Sequence, residues 1–219
     1  MMERGKRLLW TGILLHVLFI VWTILIQTVD VQPAGETGTE VGFASFNCWF
    51  HEWTGVYMTL YTITDWLGLI PVFICFGFGM VGFLQMIRRK SLLKVDRDIL
   101  LLGVYYILVI LEYLIFEMIP INYRPILIEG RMEASYPSST TLLVLGVMPT
   151  LSFQTERRLR GKRGKAAIHV LSVLFSLFMV IGRLLSGVHW ITDIAGSVLL
   201  SMGMFFVYKG VVLSYCKEK

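Results

Sequence analysis

Charged residues are scarce in this chain of 219 residues: Asp, Glu, Lys and Arg together make up 16% of it, whereas 56% is hydrophobic. This balance lies outside the usual range of soluble domains and excludes a water-soluble globular fold. Because a transmembrane helix needs roughly 20 apolar residues, the chain is long enough for about six of them. We therefore predict an all-α polytopic membrane protein with six transmembrane helices in one bundle.

Cysteines and linker sequences are also lacking. The three cysteines show no metal-ligand spacing, and an odd number cannot pair fully within one chain: Cys48, Cys75 and Cys216. No internal repeat or low-complexity linker divides the sequence, so we expect a single domain. Within it, residues 1–56 contribute the first transmembrane helix and an outer interfacial segment, and residues 57–219 contribute the other five helices.

Six apolar stretches predict the transmembrane helices: residues 8–29, 57–87, 99–119, 138–153, 166–185 and 190–213. The first is too long for the core of a signal peptide and lacks a small-residue cleavage site. When the spans alternate, four basic clusters fall on one side, which predicts that this side faces the cytoplasm: ERGKR, RRKSLLKVDR, ERRLRGKRGK and KEK. The formal charge of +5 therefore belongs to membrane loops and not to a nucleic-acid surface. Both termini are expected to be cytoplasmic, with the protein in the plasma membrane.

The other side receives three polar segments. Residues 30–56 are acidic and then aromatic in FASFNCWFHEW, which is typical of an element in the lipid headgroup region and indicates a lid or lipid-entry element. Residues 123–141, YRPILIEGRMEASYPSSTT, concentrate charged and hydroxyl side chains between apolar stretches. The third segment is a short turn around SGVHW. We expect these segments to share one face of the protein.

The turn reads GRLLSGVHWITDIAG, in which Arg183 lies six positions before His189 and Asp193 four positions after it. A spacing of four puts His189 and Asp193 on one helix face, where the carboxylate can hold one imidazole nitrogen and leave the other free to attack. A lone histidine is more often a packing residue, as we expect for His16 and His169. Three ionisable groups at a membrane helix end are costly unless they are used.

This motif resembles the third signature of the membrane-bound phosphatidic acid phosphatases of type 2, a family related to vanadium haloperoxidases and bacterial acid phosphatases. That signature is Ser-Arg, five residues, His, three residues, Asp. The chain matches it at Arg183, His189 and Asp193, with Gly182 in place of the serine.

The family's other two signatures are present in weaker form. The first ends in Arg-Pro, found here as Arg124 and Pro125, and the second is Pro-Ser-Gly-His, of which the sequence PSST keeps Pro137 and Ser138. The resemblance covers roughly residues 57–213 and implies the six-span layout.

Carried over residue by residue, the resemblance implies that His189 is the nucleophile that forms a phosphohistidine and that Asp193 orients it. Arg124 and Arg183 then bind the phosphate, since the guanidinium fork matches phosphate oxygens. Pro137 before a helix would leave amide groups free at the positive helix end, which predicts further phosphate contacts from the residues that follow it: Ser138, Ser139 and Thr140.

Two positions depart from the family pattern. Glu117 stands seven residues before Arg124, where the family has lysine, and Thr140 replaces the histidine that protonates the leaving oxygen. A threonine hydroxyl cannot act as that acid at neutral pH. Three explanations remain open: a substitute acid, a leaving group that needs no proton, or loss of catalysis. Several residues are candidates for the acid or for orienting the arginines: Glu112, Glu117, Glu129, Glu133, Arg131, Asp65 and His51.

These observations predict a membrane lipid phosphatase or phosphotransferase with its site on the outer face. Its substrate would be a lipid phosphate or a prenyl diphosphate such as undecaprenyl diphosphate, its intermediate a phosphohistidine, and its partners the lipid substrate and the bilayer. No paired-aspartate metal motif is present, so we expect neither a metal nor another cofactor. The alternative is a catalytically silent protein that binds or transports a phospholipid on the same fold.

Overall fold

The computed structural model describes residues 2–36 and 38–216 and is mostly helical. The helices are α1 (Met2–Ile26), α2 (Ala44–Thr54), α3 (Met58–Leu67), α4 (Leu69–Arg89), α5 (Arg97–Met118), α6 (Ser139–Arg158), α7 (Lys162–Leu185) and α8 (Ile191–Tyr215). A two-stranded antiparallel hairpin, β1 (Gln32–Ala34) and β2 (Thr39–Val41), precedes α2, and a 3-10 turn (Leu92–Lys94) precedes α5. The basic sequence KEK at residues 217–219 lies outside the described residues.

In the described part of the chain, five long helical stretches are apolar enough to cross a membrane: α1, the continuous pair α3–α4 (Met58–Arg89), α5, α7 and α8. They correspond to five of the six predicted spans. The protein is therefore an integral membrane protein. The helix pair α3–α4 continues through Gly68, whose backbone is in the right-handed helical region.

The remaining helix, α6, corresponds to the predicted span at 138–153, but it is not apolar enough to be recognised as a membrane helix. The reason is its position between α7 and α8, where ten of its 20 residues are buried. Polar side chains are tolerated there because neighbouring helices satisfy them. The Thr150 hydroxyl lies 2.7 Å from the Tyr106 hydroxyl, and the Gln154 amide donates to the Tyr208 hydroxyl at 2.6 Å. A total of six spanning helices stays a prediction.

α8 is the central helix of the bundle, and α1 packs along it at very short range. A Cβ atom added at Gly210 would lie 2.8 Å from the Leu9 side chain, and one added at Gly12 would lie 2.9 Å from the Gly203 carbonyl oxygen. Small residues permit this approach, which is the usual packing of membrane helices. The first turn of α8 lies at one end of the bundle.

At that end the hairpin, α2 and the loop between α5 and α6 are joined to one another. The Glu36 amide donates to the Pro125 carbonyl at 2.9 Å, and the Leu127 amide donates to the Glu36 carboxylate at 2.9 Å. Asn47 of α2 reaches the Thr192 hydroxyl of α8 at 3.0 Å. The predicted grouping of the polar segments on one face is thus confirmed as a grouping at one end of the bundle.

α2 exposes an aromatic face at this end. Phe46, Trp49 and Trp53 stack in sequence along the helix, with Trp53 72% exposed. Exposed tryptophans on a short helix beside membrane spans are typical of an element that lies among lipid headgroups. This geometry agrees with the prediction that residues 30–56 lie in the lipid headgroup region.

Candidate active site

His189 lies in the turn between α7 and α8 and is only 4% exposed. Its Nδ1 is 3.1 Å from the carbonyl oxygen of Ser135. Since a carbonyl can only accept, Nδ1 carries the hydrogen and Nε2 of the neutral ring keeps its lone pair. Nε2 is buried without a hydrogen-bond partner among the described residues, and the side chain lines a cavity of about 240 Å³. The ring therefore offers a free nucleophilic nitrogen at this cavity.

Asp193 lies in the first turn of α8, close to His189, which precedes the helix and so does not share a helix face with it as the spacing predicted. Its carboxylate accepts hydrogen bonds from the Trp190 backbone amide at 3.0 Å and from the Asn122 side chain at 3.1 Å. The nearest approach to His189 Nδ1 is 3.8 Å, which is an electrostatic contact and not a hydrogen bond. The expected direct hydrogen bond is replaced by the one to Ser135, because capping the helix draws the Asp193 carboxylate toward Trp190.

Arg183 in the last turn of α7 is 1% exposed and poorly matched by its neighbours. Its Nη1 is 3.4 Å from both the Tyr61 carbonyl and the Thr64 hydroxyl, and its Nη2 is 3.6 Å from the Asp65 carboxylate, which is itself largely exposed. Its Nε is buried with no hydrogen-bond partner among the described residues. Each of these contacts is long for a charge-assisted hydrogen bond.

Arg124 comes from the loop between α5 and α6 and lines the same cavity as His189. Its Nε lies 3.0 Å from the Glu133 carboxylate, and its backbone amide donates to the Glu133 carbonyl at 3.1 Å. Its Nη1 is buried with no hydrogen-bond partner in the described part of the chain. Arg124 therefore keeps donor capacity for an anion.

Tyr61 of α3 joins the two arginines. The centre of its ring is 4.8 Å from the guanidinium carbon of Arg183 and 5.8 Å from that of Arg124. The face of an aromatic ring attracts cations, so Tyr61 stabilises two like charges that would otherwise repel each other. The sequence analysis missed this residue. Tyr61 precedes Asp65 by one helical turn, and that spacing was the only available signal.

The environment of His189 favours its neutral form. Burial lowers the pKa of the imidazole well below its usual value, and the positive charges of Arg124 and Arg183 lower this pKa further. An unprotonated ring at neutral pH is the form that can attack an electrophile. Arg124, which lines the cavity, and Arg183, whose charge also acts on His189, give this region a positive potential that favours an anion.

The other predicted site residues divide into two groups. Three of them, Glu117, Glu133 and Ser139, line the cavity together with His189 and Arg124. The rest are not among its lining residues: Arg183, Asp193, Asp65, Glu112, Glu129, Arg131, His51, Ser138 and Thr140. Ser138 is fully buried behind the cavity, where its carbonyl accepts from Ser197, and Thr140 lines a neighbouring groove of about 400 Å³.

Glu112 was expected to face the arginines together with Glu117, but the structure differs. Residues five apart on an α-helix point about 140° away from each other, so the two carboxylates cannot share a face. Glu112 lies instead near His16 of α1. His51 is also engaged elsewhere, with Nε2 3.0 Å from the Gly187 carbonyl oxygen.

Comparisons with known proteins agree with this geometry. A family model described as the PAP2 superfamily matches residues 99–214. A curated relative, phosphatidylglycerophosphatase B of Bacillus subtilis (strain 168), is 24% identical over 198 residues, which is 90% of this chain and 92% of the relative. Among solved structures, the first transmembrane PAP2 type phosphatidylglycerolphosphate phosphatase from Bacillus subtilis superposes with a TM-score of 0.68 at 18% identity, covering 95% of this chain and 98% of that one. The similarity to that structure establishes a common fold.

Proposed function

Because this integral membrane protein belongs to the PAP2 superfamily, we propose that it is a lipid phosphatase that works through a phosphohistidine at His189. One observation carries the proposal: His189 Nε2 is buried without a partner among the described residues, beside a cavity that Arg124 also lines. A buried nucleophile next to under-partnered cations fits a phosphate group. A water molecule as the final acceptor makes the protein a hydrolase, and an acceptor alcohol would make it a phosphotransferase.

The proposed reaction has two steps. The Nε2 lone pair of neutral His189 attacks phosphorus, so that an N–P bond forms while the P–O bond to the lipid breaks. Arg124 and Arg183 stabilise the negative charge that gathers on the phosphoryl oxygens. The imidazole becomes cationic, and the Asp193 carboxylate 3.8 Å from Nδ1 stabilises that charge. Water then attacks phosphorus as the N–P bond breaks, the carboxylate that gave up its proton in the first step regains one from this water, and inorganic phosphate leaves a neutral His189.

The leaving oxygen of a lipid phosphate monoester takes the electron pair of the broken bond and needs a proton. Two carboxyl groups line the cavity, and Glu133 is already engaged by Arg124 in an ion pair of 3.0 Å. We therefore assign the proton donor to Glu117, with Thr140 taking no part in proton transfer. The two relatives are named for phosphatidylglycerol phosphate, and a lipid phosphate monoester of this kind is the proposed substrate.

Turnover of two substrates tests the role of Glu117. Glu117→Gln should lower phosphate release from a phosphatidylglycerol phosphate by about 10²–10⁴-fold, the usual contribution of a general acid. Release from a prenyl diphosphate should fall far less, because a phosphate leaving group has a pKa of about 6 and departs without a proton. Glu129→Gln is the matched control, since Glu129 does not line the cavity. Equal losses on both substrates would contradict the assignment.

A prenyl diphosphate remains a second candidate substrate because Thr140 replaces the family's acid. If the native protein turns over undecaprenyl diphosphate faster than the monoester, and Glu117→Gln changes neither rate, then the site uses no acid. That result would make a prenyl diphosphate the substrate, and His189 would still be the proposed nucleophile.

The competing function is lipid binding or transport without catalysis. It is favoured by the two departures from the family, Glu117 and Thr140. Phosphate release from detergent-purified protein, with His189→Ala as the background measurement, separates the two functions. If the native protein releases phosphate from both substrate classes no faster than His189→Ala does, the protein is catalytically silent.

We also propose that the cavity opens to the outer face of the membrane, since four basic clusters alternate with the polar segments. In a variant lacking the three native cysteines, an impermeant thiol reagent should label Glu129→Cys in intact cells. It should label Gly161→Cys only after permeabilisation. The reverse pattern would invert the topology.

A further inference from the structure

A second cavity lies at the end of the bundle opposite His189. It runs between the C-terminal half of α6, the N-terminal half of α7 and the C-terminal half of α8, and it has a volume of about 560 Å³. Four residues line both this groove and an adjoining cavity of about 360 Å³, so the two are continuous: Phe153, Glu156, Lys165 and Lys209. We call the combined space the basal groove.

The mouth of the basal groove is positively charged. Arg4, Lys165 and Lys209 line it, and the carboxylate among its lining residues is Glu156. Glu156 accepts from Lys165 at 3.3 Å, and its side chain is 68% exposed, so it neutralises only part of this charge. Lys209 is held over the rings of Phe153 and Phe205, at 5.4 and 5.5 Å. An ammonium on aromatic faces keeps its N–H donors available for an anion.

Beyond the mouth the groove is mainly apolar. It follows α6 from Glu156 back to Leu145 and α7 from Lys165 to Leu177, and each stretch is about 17 Å long at 1.5 Å per residue. The hydrocarbon core is about 30 Å thick, so the groove has the depth of one leaflet. Four polar side chains interrupt it, Ser152, His169, Ser172 and Ser176, of which Ser152 and His169 hydrogen-bond to each other at 2.9 Å. The Ser172 hydroxyl is buried without a hydrogen-bond partner among the described residues.

We propose that the basal groove binds an anionic phospholipid of the surrounding bilayer. The phosphate of its headgroup lies between Lys165 and Lys209, an acyl chain fills the apolar part, and the Ser172 hydroxyl donates to an ester carbonyl. Basic pockets between transmembrane helices select anionic headgroups because their lysine and arginine side chains attract the negative charge of the phosphate. The lipid joins α6, α7 and α8, the helices that carry Ser139, Arg183 and Asp193 at the other end, and its binding does not depend on catalysis.

Lipid titration of the purified, delipidated full-length protein in detergent tests the charge requirement. The probes are dioleoyl phosphatidylglycerol and dioleoyl phosphatidylcholine, which share their acyl chains and differ in net charge, and native mass spectrometry counts the bound molecules. Phosphatidylglycerol should bind at least tenfold more tightly. Lys165→Gln combined with Lys209→Gln should remove this preference, with about a fivefold loss for each lysine. The matched control is Lys6→Gln with Lys162→Gln, which removes the same charge outside the groove.

The apolar part is tested by filling it. Ser176→Trp should weaken the binding of both lipids at least fivefold, whereas Leu174→Trp, on the exposed side of the same helix, should not. Three results would overturn the proposal: equal affinity for the two lipids, equal losses in the groove variants and their controls, or unchanged binding in Ser176→Trp. A change of oligomeric state in Ser176→Trp with lipid binding intact would assign the groove to a second copy of the chain and equally overturn it.

Discussion

Each end of the bundle holds an arginine that is withdrawn from water, but Arg158 at one end has closer partners than Arg183 at the other. At the basal end, Arg158 donates to Asp98 at 2.7 Å and to Gln154 at 2.9 Å, and lies 3.5 Å from Asp96. At the cavity end, Arg183 makes only contacts of 3.4–3.6 Å, and its Nε is buried without a partner in the described part of the chain.

This difference separates a structural ion pair from a binding site. A charge withdrawn from water is tolerated when its hydrogen-bonding capacity is filled, as it is at the half-buried Arg158. An arginine that is more deeply buried and less well matched destabilises the fold unless a missing anion completes it. Arg124 and His189 stand beside Arg183 with further open positions. The contrast between the two ends thus supports the proposal that the cavity end binds a phosphate.

The largest expected effect is at the nucleophile. His189→Ala should reduce phosphate release to background, because no other group can form the intermediate. Asp193→Asn should leave a weak residual activity, roughly 10⁴-fold down, since the imidazole keeps its reactive nitrogen but loses its orientation and its countercharge. His16→Ala on α1 is the control with normal turnover. Normal turnover of His189→Ala in pure protein would rule out the proposed mechanism.

The next prediction compares the same substitution at the two arginines, Arg183 and Arg158. Arg183→Gln should lower kcat/KM by about 10²–10³-fold, the usual loss for one preorganised donor, without lowering the melting temperature. Arg158→Gln should do the opposite: it leaves Asp98 without its closest partner and should cost about 2 kcal/mol of unfolding free energy, a figure reduced for the partial exposure of Arg158.

Kinetics and thermal unfolding in detergent measure both quantities on the same samples. If Arg183→Gln destabilised the protein as much as Arg158→Gln did and left kcat/KM intact, the two ends would have the same structural role, and the comparison would fail.

A smaller effect is expected at Tyr61, the aromatic residue that contacts both arginines at the cavity end. Tyr61→Leu should raise KM for the phosphate substrate about 2–30-fold through the loss of the aromatic face beneath Arg183 and Arg124. Tyr61→Phe keeps the ring and should retain most of the activity. Equal defects in the two variants would show that the hydroxyl, and not the ring, is what matters.

The smallest expected effect is a shift in the pH profile. The pKa of His189 lies well below its usual value, so the neutral nucleophile persists below pH 6.5 and the acid limb of kcat/KM lies below that pH. Arg183→Gln removes one cause of the lowered pKa and should move the acid limb of its residual activity toward higher pH. Arg158→Gln should leave the limb in place. A shift toward lower pH in Arg183→Gln would contradict the electrostatic account.

The sequence predicted five of the spans well because lipid-facing helices must be apolar along their whole length. It predicted α6 less well, since that helix faces other helices and carries Thr150 and Gln154. The proximity of His189 and Asp193 was predicted from helical spacing, but His189 lies in the turn before α8, and the cap formed by Trp190 and Asp193 sets their relative position. The Ser135 carbonyl could not be anticipated, because a backbone acceptor carries no sequence signal, and Asn122 reaches Asp193 only through the path of the loop.

The central claim, a covalent intermediate on His189, is tested most directly by trapping it. Purified protein is mixed with a lipid phosphate substrate, quenched in alkali, which preserves phosphohistidine, and digested for mass spectrometry. We predict one phosphate on the peptide that contains His189, present in the wild type and accumulated in any variant that slows hydrolysis, but absent in His189→Ala. Turnover without phosphate on that peptide, or phosphate on another residue, would contradict the account.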